Sequence, residues 1–313
     1  MKACLGFDTS NYKTSAALFD PEHGVVKNCG RLLEVAQGQL GLRQSDALFQ
    51  HVRHLADVAE ELLQGHEASV GAVGFSSRPR SAQGSYMPCF LAGEMAARCI
   101  AATLKVPAYS FSHQQGHIAS ALYSSGKTEL FHQPFLSWHL SGGTTELLLV
   151  TPGEQKQMIE AEIIGGTQDV AAGQIIDRAG VALNTPFPAG IYIDEMARQS
   201  QSKESFIPKT NGLFFSLSGL ENKFRRKIEA GDAPEDVAAF TVNSIVAIVG
   251  KITALAREKY HLPILFSGGV TASSQMHSYF QGAEGVYFAE NGYNGDNALG
   301  AALLAHLSAG GSL

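Results

Sequence analysis

The sequence predicts an α/β protein built from two duplicated α/β domains around a nucleotide cleft. Three observations carry that expectation. Residues 3–20 (ACLGFDTSNYKTSAALFD) and 134–153 (PFLSWHLSGGTTELLLVTPG) each read as an apolar run, a polar turn and a second apolar run, the pattern of a β-hairpin. A third apolar strand, in LPILFSGGVTASS, runs into a Gly-Gly loop at Ser267-Gly268-Gly269. Recurrence of one hairpin grammar along the chain points to internal duplication.

Taken in order, the first hairpin places Asp8, Thr9, Ser10 and Asn11 at its tip. Residues 46–63 follow, with Leu48, Val52, Leu55, Val58, Ala59 and Leu62 close to the 3.6-residue helical period. Residues 88–104 are rich in small residues and predict a helix packed closely on a sheet. In the second hairpin, Phe135–Leu140 and 146–150 flank Ser141-Gly142-Gly143-Thr144-Thr145. The stretch 238–260 is again helical, through Val242, Ile245, Val246, Val249, Ile252 and Leu255. A last small-residue helix is expected over 298–307.

Composition narrows the class. A chain of 313 residues exceeds the size at which one core usually stops growing, so two domains are expected. With 45% hydrophobic and 17% charged residues it reads as globular. No stretch approaches the roughly 18 uninterrupted apolar residues of a membrane span. Asp8 interrupts the apolar start, which therefore does not read as a signal peptide. Cys4, Cys29, Cys89 and Cys99 show no CxxC spacing and read as reduced thiols of a cytoplasmic protein. A net charge of -6 argues against autonomous tight nucleic-acid binding; an RNA substrate would need a local basic patch or a partner subunit.

Glycines let backbone N–H groups approach an anion, and successive turn amides form an anion nest. One Gly-Gly is ordinarily just a tight turn. Two such loops after apolar strands, with a polar N-terminal hairpin, predict a phosphate-binding cleft. In SHQQGHI, His113 and His117 stand four apart, a spacing that puts two imidazoles on one helix face. Alone, that spacing serves a surface or capping role as readily as a metal. It lacks the metalloprotease base, since Gln114 follows the first histidine. Asp296, before a run of small apolar residues, is either a helix cap or a third, carboxylate ligand.

GFDTSNYKTSAALFD, HQQGH, SGGTTELLLV, DVAAGQIIDRAG, FFSLSGL, SGGVTAS and NGDNALGAALLA come in the order found in the TsaD/Gcp family, which the chain resembles over nearly its whole length. These are tRNA threonylcarbamoyl-adenosine synthases, formerly labelled O-sialoglycoprotein endopeptidases. The resemblance implies the actin-like ATPase fold of sugar kinases, Hsp70 and actin, with domains at 1–110 plus 297–313 and at 111–296. It implies one divalent metal, iron or zinc, on His113, His117 and Asp296. An adenine nucleotide, ATP or threonylcarbamoyl-AMP, would contact His139, Leu140, Ser141, Gly142, Gly143, Asp177, Gly190, Gly268, Gly269 and Ser273. The implied reaction modifies the adenosine beside the anticodon of tRNA, reached through helper subunits, with a related actin-fold protein as partner and no membrane. No catalytic side chain is assigned.

The chain departs from the family pattern on the substrate side. Tyr12 and Lys13 replace an acidic pair, Arg78-Pro79-Arg80 replaces Gly-Pro-Gly, Gln115 replaces Glu, and Ser273 replaces Asn. The alternative expectation is therefore a divergent metal- and nucleotide-binding paralogue with a regulatory or other group-transfer role. A kinase of the same fold would need Asp8 or Asp177 as its carboxylate base. Peptidase action has no identifiable base or nucleophile.

Overall fold

A computed structural model describes residues 2–313 except 11, 36–41, 67–68, 83, 154–157 and 291–296. Its elements in chain order are β1 (Ala3–Ser10), β2 (Lys13–Asp20), β3 (Gly24–Leu32), α1 (Gln44–Leu63), β4 (Val70–Arg78), α2 (Phe90–Leu104), β5 (Ala108–Ser112) and α3 (His113–Ser124). Then come β6 (Phe135–Leu140), β7 (Thr145–Pro152), β8 (Ile159–Thr167), α4 (Ala172–Ala182), α5 (Gly190–Gln199), β9 (Thr210–Asn211), β10 (Phe214–Phe215) and α6 (Ser218–Glu229). The last are α7 (Pro234–Tyr260), β11 (Ile264–Ser267), α8 (Ser274–Phe280), β12 (Val286–Phe288) and α9 (Asn297–Ser308).

Two sheets share one plan. The first runs β3-β2-β1-β4-β5, and the second contains β12-β11-β6-β7-β8, extended by β10 and β9. In each, the hairpin (β1–β2, β6–β7) is antiparallel, and the later strands join its first strand in parallel. The expected duplication is thus present as topology. Both predicted hairpins form, with registers Cys4↔Phe19 to Ser10↔Lys13 and Phe135↔Val150 to Leu140↔Thr145.

The chain forms two compact units. One contains residues 1–133, 151–161 and 295–313, and the other 134–150 and 162–294. The division falls at 133/134 rather than at the expected 110/111, because α3 packs on α9. A Cβ on Gly300 would lie 2.5 Å from the Gly116 carbonyl carbon and 2.6 Å from its Cα, so the two helix backbones touch.

In the first unit, β1 is buried along all but its last residue, as expected of a central strand covered on both faces. Leu5 and Phe7 meet Leu55 and Val58 of α1 and Ala97 and Ala101 of α2 in one core. On the opposite face, Gly6 and Gly74 admit the α9 backbone: a Cβ on either would stand 2.6–2.7 Å from Ala302 N or the Ala301 carbonyl carbon. The second core gathers Trp138, Leu147, Ile175, Ile193, Phe224 and Phe266 around α7. That helix has a mean hydropathy of 1.7 over 18 residues, enough by composition to cross a membrane, yet 78% of that window is buried inside the protein. It begins at Pro234, four residues before the expected start, since proline suits the first helical turn.

Candidate functional site

In the first unit the hairpin brings Asp8 to α3. Asp8 is expected at a polar tip; instead it lies within β1, paired with Ser15, and is 1% exposed. Of the other expected tip residues, Asn11 lies outside the described residues. The Asp8 carboxylate meets His113 Nδ1 at 2.9 Å and accepts a 3.2 Å bond from the Ser10 amide. Burial opposes its charge, but His113 and Ser10 outweigh that and hold the carboxyl below the usual carboxylate range. A carboxylate on Nδ1 keeps the proton there and leaves the lone pair on Nε2. The His117 ring stands 4.5 Å from that of His113, centroid to centroid, at 72°.

Gln115, between them, is explained by α3 itself. Its backbone N–H donates to Ser112 Oγ (3.2 Å) and its Oε1 accepts from the Ser112 amide (2.7 Å), forming a capping box. Its Nε2 donates to the Ile159 carbonyl at 2.7 Å, a bond that glutamate could not give. Thr9 ties the hairpin to α2 through the Cys89 carbonyl and the Gly93 amide. Thr14 Oγ1 meets His51 Nδ1 at 2.8 Å, and burial lowers the His51 pKa to about 4.

Asp296 lies outside the described residues. Its successor Asn297 packs against Gly116, where an added Cβ would meet the Asn297 carbonyl at 3.0 Å. Asn297 Oδ1 is buried without a hydrogen-bond partner among the described residues. Among those residues no group of three His, Cys, Asp or Glu side chains is placed to hold a metal. The donor set nonetheless fits a metal: two neighbouring imidazoles, one oriented by a buried carboxylate, as metal-bound histidines usually are.

In the second unit the two glycine loops lie together at the ends of β6 and β11, which pair in parallel with His139 opposite Ser267. His139 Nδ1 meets Ser267 Oγ at 3.4 Å, and Leu140 is buried. Gly268 has φ +96°, and a Cβ there would stand 2.7 Å from the Leu140 carbonyl carbon. Ser141 closes its turn with Thr144 (2.8 Å) and accepts from the Gly173 amide at the start of α4 (3.2 Å). Gly142 and Gly143 are exposed, with open space where a side chain would stand.

Gly190, Gly269 and Ser273 line a cavity of about 350 Å³ with Ile176, Phe187, Ile191, Asp194 and Arg198. Asp177 accepts from the Ala189 amide at 2.9 Å, beside Gly190. His139–Gly143, Asp177 and Gly268 are not among the cavity's lining residues. The Ser273 hydroxyl donates to Asp194 (2.9 Å), which also accepts from the Ser274 amide (3.1 Å) and faces Arg198 Nε at 3.5 Å. Asp194 and Arg198 were not among the expected site residues; their i,i+4 spacing in IDEMAR is the one local signal of the pair. Asp169, also unanticipated, accepts from the Val170, Leu217 and Ser218 amides. Partial burial opposes its charge, but these bonds and that of the Ser218 side chain bring its pKa to about 2.

Of the substituted positions, Tyr12 is 48% exposed and the Lys13 stem lies across Gly30 of β3. Arg78 Nη1 donates to Ser77 Oγ, and the Arg80 amide donates to Ser85 Oγ.

A family model described as "TsaD: tRNA N6-adenosine threonylcarbamoyltransferase" matches residues 37–303. A protein of Sulfurihydrogenibium sp. (strain YO3AOP1) bearing that transferase name is 29% identical, over 88% of this chain and 81% of its own length. Among solved structures, full-length HypF in its phosphate- and nucleotide-bound form aligns with a TM-score of 0.60 at 12% identity, over 97% of this chain and 55% of its own. The (R)-2-hydroxyglutaryl-CoA dehydratase component A of Acidaminococcus fermentans aligns with a TM-score of 0.56 at 13% identity, over 99% and 100%. At such identities these structures speak to fold alone, and the fold is the actin-like ATPase one.

Proposed function

We infer that this chain, which belongs to the TsaD family, is a cytoplasmic, metal-assisted tRNA N6-adenosine threonylcarbamoyltransferase. Its named relatives carry that activity in their names, and it spans about four-fifths of their length. The observation that carries the metal-assisted reading is the His113 ring, fixed by buried Asp8 and 4.5 Å from His117.

His113, His117 and Asp296 would hold one divalent ion, iron or zinc, which when bound supplies Lewis-acid polarisation of a carbonyl or phosphoryl oxygen. Asp8 holds a proton on His113 Nδ1 and so keeps Nε2 an electron-pair donor. In the second unit, the cavity walled by Ile176, Phe187 and Ile191 suits an adenine, and the Gly142-Gly143 and Gly269 backbones are open to phosphate. Asp177 would meet a ribose hydroxyl. The donor would be threonylcarbamoyl-AMP. The adenosine N6 amine forms the bond to the carbamoyl carbon, the bond from that carbon to the phosphate oxygen breaks, AMP leaves with the electron pair, and N6 loses a proton. No side chain is assigned as the base. tRNA would be presented with helper subunits, including a related actin-fold protein.

The test is reconstitution with ATP, threonine, bicarbonate, the adenylate-forming enzyme, helper proteins and tRNA, followed by mass spectrometry of the digested nucleosides. Modified adenosine that disappears in His113→Ala and His117→Ala supports the reading; its absence where an authentic relative works overturns it. The substitutions at Tyr12, Lys13, Arg78 and Arg80 favour a second reading, a paralogue that binds metal and nucleotide without this transfer. That reading predicts stoichiometric metal and nucleotide binding with no tRNA product.

A further inference from the structure

Three cavities of the second unit join end to end. The nucleotide cavity and a larger one of about 610 Å³ share Arg198, and the larger one shares Ser205 with a third of about 420 Å³. Segment 200–206 forms the ridge between the last two. The middle cavity has no acidic lining residue; it offers Lys203, the Ser202, Ser205 and Ser278 hydroxyls and Tyr279, beside Arg198, which faces Asp194. The Ser200 and Ser274 hydroxyls there donate to Asp236 and Asp194, and the Asn243 amide donates to the Ser202 and Glu204 carbonyls. The Tyr279 ring is 56% exposed and is backed by Gly250, where a Cβ would stand 2.5 Å from it. The third cavity adds Lys223, Arg226 and Lys227 from α6.

The charges along this groove are unbalanced. Asp194 of the nucleotide cavity faces Arg198 at 3.5 Å; the middle and third cavities are lined by five basic side chains against two acidic ones, Glu204 and Asp232. Both acids are taken by Lys227, at 2.7 and 3.0 Å. Lys203, Lys223 and Arg226 have no carboxylate partner among the described residues. Lys223 rests over the Phe206 ring, 4.6 Å from its centroid. Like charges gathered on a chain of net charge -6 repel one another unless an anion lies between them.

We propose that this groove, running from the nucleotide cavity past Arg198 and Lys203 to Lys223 and Arg226, is the track for the phosphate backbone of the tRNA substrate. The proposal rests on the transferase reading. Hydroxyls among cations are groups that hydrogen-bond phosphate and ribose 2′-hydroxyl, and an exposed, backed tyrosine offers a base a stacking face. An acidic protein segment would use the same cations but leave the tyrosine and the hydroxyls without a role.

The experiment measures binding of substrate tRNA transcript to the full chain, for wild type, Lys203→Glu and Lys223→Glu/Arg226→Glu, across a salt series. Each neutralised phosphate contributes a slope of about 0.7–0.9 in log K against log salt. The double variant should therefore lose roughly two units of slope and bind at least tenfold more weakly. Adenine-nucleotide affinity and melting temperature should stay at wild-type values. Lys203→Glu, on a loop, serves if the double variant is unstable, and should lose about one unit of slope. If wild type modifies tRNA and the variants bind it equally well, the groove is wrong and the transferase reading stands. If wild type neither binds nor modifies tRNA, both fall. If the variants lose affinity for poly-glutamate but not for tRNA, the groove belongs to an acidic protein and the proposal is overturned.

Discussion

Replacing Gly300 by alanine tests whether the α3–α9 contact sets the geometry of the proposed metal ligands. α3 carries His113 and His117, and α9 begins at Asn297, next in sequence to Asp296. The new methyl would overlap the Gly116 carbonyl oxygen and lie 2.5–2.6 Å from its carbonyl carbon and Cα, where ordinary contact begins at 3.4 Å. Relief needs a shift of roughly 1 Å, a misplacement that can cost about 100-fold in a reaction. α9 has nowhere to retreat, because its other face lies on Gly6 and Gly74 of the sheet. Overpacking a tight core costs about 1–3 kcal/mol, and a contact between backbones belongs at the upper end. At roughly 2–4 °C per kcal/mol for a domain of 150–250 residues, the melting temperature should fall by roughly 6–12 °C. Gly219→Ala in α6, where a Cβ meets only Phe206 at 3.6 Å, is the control and should not destabilise. Thermal melts, elemental analysis and tRNA modification supply the readouts. A Gly300→Ala protein that melts and carries metal like wild type would refute the reasoning.

Asp8→Asn lets an amide face His113 Nδ1 and frees the proton to move to Nε2; metal affinity measured by chelator competition should drop about 10–100-fold, and unchanged affinity would remove Asp8 from its orienting role. His51, with a folded pKa of about 4 against the ordinary 6.5 of histidine, is neutral when folded and gains a proton on unfolding below pH 6.5. Its contribution is therefore complete above pH 6.5 and is lost as pH falls toward 4, by up to about 3 kcal/mol; urea midpoints between pH 7 and 4.5 should show the slope, and His51→Gln should flatten it. Gln115→Glu restores the residue common in the family but aims a carboxylate at the Ile159 carbonyl; a loss of about 1–3 kcal/mol is expected, and an unchanged denaturation midpoint would contradict it.

What the sequence made legible was local. The hairpins, α1 and α2 fall within two residues of expectation because apolar runs about a polar turn, the helical period and a run of small residues are each local to the segment they form. α9 matches through composition instead: eight of its twelve residues are alanine or leucine. What was not legible depended on partners far along the chain. Asp8 reads as a turn residue by type; its pairing with Ser15 and its contact with His113, 105 positions away, place it inside β1. Gln115 departs from the family without visible cause until Ser112 and Ile159 come beside it. Asp194 and Ser273 are 79 positions apart, and no periodicity joins them. The domain boundary was misplaced for a related reason, since the glycine contact that draws α3 toward α9 leaves no mark in hydrophobic patterning.

The placement of α9 also bears on how the molecule is made. The slot that Gly6 and Gly74 leave on the first sheet is filled by a helix whose sequence follows the entire second unit. A nascent chain must therefore carry an unfinished first unit while residues 162–294 are synthesised, roughly 7–27 s at about 5–20 residues per second. During that interval the apolar slot stands open to chaperones and to neighbouring chains, while the second unit has everything it needs to fold. Completion of the first unit, and with it the packing of α3 on α9, therefore follows synthesis of the second unit.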